Sequence, residues 1–221
     1  MSVHLHRDME NLQKMVLAVS AVAEEMIDRA TRVFCERRYD DAPIVIAMDR
    51  EVDEREVMIE EECLKMLALH QPVASDLRRI TAVLKINNDI ERIADLAVNI
   101  AQRAQCLAEF PEFVVPDRVL QMVDLTTQMV RSALDAFVNL DSQSARRIIR
   151  LDDTVDRHNC EIIDELQSQM QQRPQSVPAC LHCFSAVRHV ERIADHAVNI
   201  AEDVIYLAEG DIIRHRHSAE A

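Results

Sequence analysis

The sequence predicts an all-α protein made of two tandem, pseudo-symmetric three-helix bundles. Three observations carry this. The 221 residues hold one glycine and six prolines, too little glycine for hairpin turns or a phosphate loop, whereas long helices need none except at their ends. Between the prolines, apolar residues recur at spacings of three and four, the period of a helix with one buried face. The second half of the chain repeats the first.

The prolines and acids set the element limits. A first helix is predicted over about 4–37. Asp40-Asp41 followed by Pro43 is a start signal for a second, about 41–69. Gln71-Pro72 breaks the pattern after Leu69, and Ser75 or Asp76 can cap a third helix over 74–108. Pro111 and Pro116 bracket a linker, and a fourth helix follows over 117–139. A fifth is expected over 142–172, a break at Pro174 and Pro178, and a sixth over 178–208. The domain reading is therefore a first repeat over 1–109, a linker over 110–116, a second repeat over 117–209 and a disordered tail over 210–221.

The repeat is visible residue by residue. Ile90–Ala101 reads IERIADLAVNIA and Val190–Ala201 reads VERIADHAVNIA, identical at ten of twelve positions at an offset of 191 − 91 = 100. Upstream the offset is 152 − 49 = 103, so the second half is three residues shorter between its second and third helices. At that offset Met26, Ala30, Phe34, Ala42 and Ile46 meet identical residues at 129, 133, 137, 145 and 149. Shared packing accounts for the apolar identities but not for the repeated charges.

Those charges form the candidate site. In the third helix, Asn88, Glu91, Asp95 and Asn99 make a narrow stripe beside the apolar arc of Ile86, Ile90, Ile93, Ala97 and Ile100. Glu91 and Asp95 lie one turn apart, a like-charge pair that is mildly destabilising alone. The second helix adds Asp49 and Asp53 at the same spacing. The copies are Asp152 and Asp156, then Glu191 and Asp195, with Asn199 matching Asn99. Second and third helices of a three-helix bundle are antiparallel neighbours, so two pairs would face each other across one groove in each half. Four convergent carboxylates suit a divalent or trivalent cation. The competing reading is that Arg92 and Arg192, also repeated, neutralise these acids as ordinary ion pairs. Asn99 and Asn199 would be further oxygen ligands or partners of core polar groups.

Composition limits the alternatives. A net charge of −14 with 3% aromatic residues is unsuited to nucleic acid and suits cations or a basic partner surface. No stretch reaches the ~18 uncharged apolar residues of a membrane span, and the N-terminus has no secretory pattern. These features and six cysteines that do not recur between the halves point to a reduced, cytoplasmic protein. Cys180-x-x-Cys183 beside His182 is half a zinc pattern without its other half, which reads better as core filling. His182, His189 and His196 share a face, and only His196 lies in the repeated motif, opposite Leu96. No nucleophile elbow, HExxH or Glu-x-x-His pair is present, so no reaction class is indicated.

With ERIAD twice, Asp49-x-x-Val-Asp53 with its copy Asp152-x-x-Val-Asp156, and Gln71-Pro-Val-Ala-Ser-Asp-Leu-Arg78, the sequence resembles the PhoU family of bacterial phosphate-signalling regulators. The resemblance runs from His4 to about Leu207. It implies a non-enzymatic negative regulator of phosphate uptake and of the phosphate-starvation response. Such a protein would be an adaptor between the phosphate ABC transporter, through its ATPase subunit, and a sensor histidine kinase. It implies a homodimer, and metal ions (Fe, Mn, Mg or Zn), multinuclear in some members. The ligands carried over are Asp49, Asp53, Glu91, Asp95, Asp152, Asp156, Glu191 and Asp195. The alternatives weighed against it are a metal-storage protein and a structural dimerisation module. One departure is that the segment at 71–79 has no copy at 171–179, leaving Arg78 and Arg79 to one half, either to meet an acidic partner or an anion or as a solvated helix start.

Overall fold

A computed structural model describes residues 3–210. The tail residues 211–221, including Arg214 to His217, lie outside the described residues. The described chain forms six α-helices: α1 Val3–Cys35, α2 Ala42–His70, α3 Ala74–Leu107, α4 Asp117–Asn139, α5 Ser142–Gln172 and α6 Val177–Glu209. Single 3₁₀ turns, Tyr39–Asp41 and Pro174–Ser176, precede α2 and α6. Helices α1, α2 and α3 pack on one another, as do α4, α5 and α6.

Each helix follows from its sequence pattern. In α1 the buried residues Leu5, Met9, Leu12, Val16, Val19, Ala23, Met26, Ala30 and Val33 recur at three or four, the single stripe of an amphipathic helix. Pro43 occupies the first turn of α2, where its missing N–H is not needed. That helix ends where Gln71 turns left-handed at φ 44° and returns its N–H to the Leu67 carbonyl. α3 starts at Ala74, as the sequence predicts, but neither Ser75 nor Asp76 caps it: the cap position is an extended Val73 with no side-chain cap. The Pro72 ring disfavours helix at Gln71, Val73 stays extended, and Ala74 turns at φ 47° as the helix begins. Asp76 then lies in the first turn, where its charge complements the helix dipole. Between the halves Arg37 ties down the linker by donating to the carbonyl of Pro111 at 2.8 Å. Leu140 closes α4 in the left-handed region at φ 51°, and Asp141 caps α5 by accepting from Gln143 N and Ser144 N. Gly210 terminates α6 at φ 84°, where a side chain would strain the backbone and a Cβ would meet the Arg78 guanidinium at 2.7 Å.

The bundles are fused along α3 and α6. These helices bury residues on most sides, from Ile80 to Leu107 and from Ala179 to Ile205, and form the most extensive packing between the halves. α1 and α4 also pack together, bridged by Arg131, which meets Asp28 at 2.6 Å and Glu24 at 3.4 Å. One continuous hydrophobic cluster runs through all six helices. Cys63, Cys180 and Cys183 are buried in it as free thiols. Burial pushes the Cys63 thiol up to about 12 and the Cys183 thiol higher still, so these are small apolar fillers. His182 packs near the Phe110 ring, with 6.2 Å between centroids.

Candidate carboxylate sites

The fold places the eight acids in two grooves, one between α2 and α3 and one between α5 and α6. Each pair of helices is joined by a short turn and lies antiparallel, so residues near the middle of one face residues near the middle of the other. In the first groove Asp49 is half-buried while Asp53 is exposed. Burial, then the charges of Asp53 and Asp95, raise the pKa of Asp49. Glu91 is raised by burial and by Asp95, Glu56 and Asp53, against the lowering charge of Arg92. In the second groove burial, then Asp156, Asp195, Asp153 and Glu191, push Asp152 up to about 7. Glu191 and Asp195 are raised as well, each by burial first. Asp49 and Glu91 in one groove, and Asp152, Glu191 and Asp195 in the other, thus hold unfavourable charge near neighbouring acids.

Counter-charge is present but unequal. Arg92 meets Glu91 at 3.3 Å and Asp95 at 3.2 Å, so the ion-pair reading of the sequence applies in the first half. In the second half the partner is different: Arg188 meets Glu191 at 2.9 Å, while Arg192 forms no ion pair among the described residues. Glu191 keeps one buried oxygen, Oε2, without a hydrogen-bond partner, whereas the buried Oε2 of Glu91 is the one that Arg92 Nε meets at 3.3 Å. Among the described residues no three His, Cys, Asp or Glu side chains already stand together as a metal-ligand set. Two clefts of about 410 and 420 Å³ flank the Asp28–Arg131 bridge between α1 and α4 and are lined by none of the eight acids.

The asparagines separate. Asn99 donates to the carbonyl of Asp95 in its own helix at 2.8 Å. Asn199 reaches across to α3 and donates to Asp89 Oδ1 at 3.3 Å. Asp89 also meets His196 Nδ1 at 2.8 Å. His196, whose equivalent is Leu96, therefore joins the two bundles. Arg78 and Lys85 both stack on the Tyr206 ring, and Arg79 donates to Gln13 at 3.2 Å. The segment at 71–79 thus tethers α3 to α6 and α1.

Two residues beside the grooves escaped the sequence pattern. Glu56 lies two turns past Asp49 on the same face, and its pKa is raised by burial, Glu60 and Asp53. Its equivalent at the offset of 103 is Asn159, which is buried with an unpartnered Oδ1. The seven-residue spacing from Asp49 to Glu56 and from Asp152 to Asn159 was the available signal; an acid matched to an amide hides in an identity count.

A family model described as the PhoU domain matches the chain twice, over residues 16–104 and 119–204. The chain belongs to the PhoU family. It is 38% identical over 216 residues to the "Phosphate-specific transport system accessory protein PhoU homolog" of Aquifex aeolicus, covering 98% of each chain. With the protein of the same description from Pseudomonas putida it shares 37% over 217 residues, covering 97% of this chain and 84% of the other. The crystal structure of PhoU from Pseudomonas aeruginosa superposes with a TM-score of 0.90 at 35% identity, covering 93% of this chain and 99% of that one. PhoU from Streptococcus pneumoniae, at 24% identity and a TM-score of 0.89, has the same fold. The six-helix, two-repeat architecture expected from the sequence is thus the PhoU fold.

Proposed function

We propose that this PhoU-family chain is an accessory regulator of a phosphate-specific transport system and represses phosphate uptake and the phosphate-starvation response. The observation that carries the reading is the end-to-end similarity to proteins named as accessories of that system. In this reading the chain acts by contact. Its helical faces engage the ATPase subunit of the transporter and a sensor histidine kinase, on the cytoplasmic side and as a homodimer. No helix among the described residues is long and apolar enough to cross a membrane, which accords with attachment through partners.

Metal binding at the grooves is part of the proposal. The donor chemistry fits a hard cation: oxygen-rich sets, a buried orphan oxygen on Glu191, and acids raised by burial and then by one another's charge. Asp49, Asp53, Glu91 and Asp95 would hold it in one half, and Asp152, Asp156, Glu191 and Asp195 in the other. The ion would supply positive charge that ties α2 to α3 and α5 to α6. The acids would have to close upon it, since they are not gathered as a ligand set without one.

The test is a strain lacking the chain, grown in phosphate-rich medium. Starvation genes should switch on there and fall silent again when the chain is returned. If they stay repressed without it, negative regulation is wrong.

A further inference from the structure

Where α1 and α4 meet, the surface is hollowed. The two clefts of about 410 and 420 Å³ lie on either side of the Arg131–Asp28 contact at 2.6 Å, and residues between 17 and 36 of α1 line them in succession. At ~1.5 Å per helical residue they make one groove about 28 Å long. The duplication runs through it. At the offset of 103, Asp28 is the equivalent of Arg131 and Leu17 is the equivalent of Leu120. The bridge therefore marks the pseudo-twofold centre of the groove, and the two leucines mark its ends. Both are exposed, at 42% and 48%. The core does not require them, yet both halves carry the same large apolar side chain at the same place.

The lining is acidic. Arg131 is held by Asp28 and Glu24, and Glu25 is held by Arg29 at 2.7 Å. The carboxylates of Glu36, Asp124 and Asp135 make no ion pair or hydrogen bond among the described residues, and Arg32 is the one further cation among the lining residues. Between Asp124 and Arg131 the cleft is lined by Thr127, which is 9% exposed and whose hydroxyl makes no hydrogen bond among the described residues. An acidic surface alone is a solvated one. Acids around a groove with a recessed, unpartnered hydroxyl and an exposed leucine at each end describe a surface that another molecule completes.

We propose that the α1–α4 groove docks a cationic amphipathic helix of a partner protein, which rests on the reading that the chain acts by contact. A helix of about 18 residues matches the length of the groove. Its apolar stripe covers Leu17 and Leu120, its lysine or arginine heads meet Glu36, Asp124 and Asp135, and the Thr127 hydroxyl accepts one N–H. A second copy of this chain is a poor occupant, because at a net charge of −14 it brings mostly acid to an acidic groove. Anionic lipid and nucleic acid are repelled on the same ground.

The probe is a fluorescently labelled synthetic peptide of about 18 residues, with leucines at helical spacing and lysine and arginine between them. It is titrated with full-length, chelator-treated protein at about 0.15 M ionic strength. Saturable binding is expected in fluorescence anisotropy, and none with a scrambled peptide of the same composition. Asp124→Lys/Asp135→Lys and Leu17→Ser/Leu120→Ser should each weaken it by about tenfold or more. Glu60→Lys/Glu61→Lys, an equal change of charge at exposed positions of α2, should leave it unchanged. All the substituted positions are exposed, so matching thermal transitions show that the variants are folded. No saturable binding, equal binding of the scrambled peptide, or an equal loss in the α2 variant overturns the proposal. So does a shift from dimer to monomer in Asp124→Lys/Asp135→Lys by sedimentation, which gives the groove to a second copy. In the strain lacking the chain, Asp124→Lys/Asp135→Lys should fail to restore repression where the wild type succeeds. If the variant restores it fully, the groove is overturned and the regulatory reading stands. If repression never needed the wild type, the regulatory reading falls, and the peptide titration still decides the groove.

Discussion

Asp152→Asn isolates the electrostatic tension of the second groove. Asp152 ionises at about 7 in the folded protein against 3.8 for an ordinary aspartate, chiefly through burial and then through Asp156, Asp195, Asp153 and Glu191. The sign follows from linkage. The folded state holds this proton more tightly than the unfolded state, so the group's contribution to stability is full below about 4 and lost as pH rises to about 7. At ~1.36 kcal/mol per tenfold change in proton affinity the limit is about 4 kcal/mol. The side chain is only half-buried, and solvent screening reduces this to about 1–2 kcal/mol. The amide keeps the shape and removes the charge. In chelator-treated protein at pH 8 the variant should therefore be more stable than the wild type, melting about 2–8 °C higher for a chain of this size. At pH 4 the difference should vanish. Thermal unfolding of both proteins at the two pH values, followed by circular dichroism, measures this directly. A variant that melts below the wild type at pH 8, or a difference that does not change with pH, would refute the idea that the groove stores unfavourable charge. Adding a divalent cation should reverse the order, because only the wild type then has the carboxylate that compensates it.

Other consequences are open to measurement. The Asp95→Ala/Asp195→Ala variant should lose most of the metal that elemental analysis finds in wild-type protein saturated with iron or manganese; equal content in both proteins would end the metal reading. The second groove, whose Asp152 is pushed furthest up by burial and neighbouring acids, should be the tighter site, so Asp195→Ala should lower metal affinity more than Asp95→Ala in a competition titration. His196→Leu, which installs the residue found at position 96, leaves Asp89 buried with Asn199 alone and should cost about 1–3 kcal/mol in urea unfolding. Asp141→Ala removes the side chain that accepts from Gln143 N and Ser144 N and should cost about 1 kcal/mol by the same assay.

Which parts of this molecule were legible in its sequence follows from the range of the forces involved. Helix ends depend on local chemistry, so α4 and α5 begin and end where proline, aspartate and the apolar period place them. The start of α3 at residue 74 was legible too, but not its cap: Ser75 and Asp76 are good caps that the chain does not use, and an extended Val73 leads into the helix instead. The acids of the grooves were visible because each pair lies on one helix at one spacing and the duplication prints it twice. What stayed hidden belongs to contacts between helices distant in sequence. Nothing local marks Asp89 as the partner of His196, 107 residues away. Asp89 even looks, in the alignment of the halves, like an unmatched surface acid opposite a histidine.

That mismatch is informative once the helices are packed. A duplicated protein whose repeats meet along equivalent helices, α3 against α6, places each position near partners equivalent to those of its copy. Had both copies kept an aspartate, as at 89, the seam would carry a further acid beside Asp89 and Asp203, and had both kept the histidine, two imidazoles. Divergence to Asp89 with His196 and Asn199 gives the one buried acid of this matched pair its own partners, whereas an acid buried without them is strongly unfavourable in a dry interface. The same pressure is absent in the grooves, which open to solvent, and there the acids persist in both copies at a cost in stability. Identity is therefore kept where charge is unfavourable for the fold and lost where charge would otherwise be buried unpaired. This contrast between seam and groove is the strongest physical reason to look for a ligand at the grooves: unlike the seam, they have not been relieved by substitution.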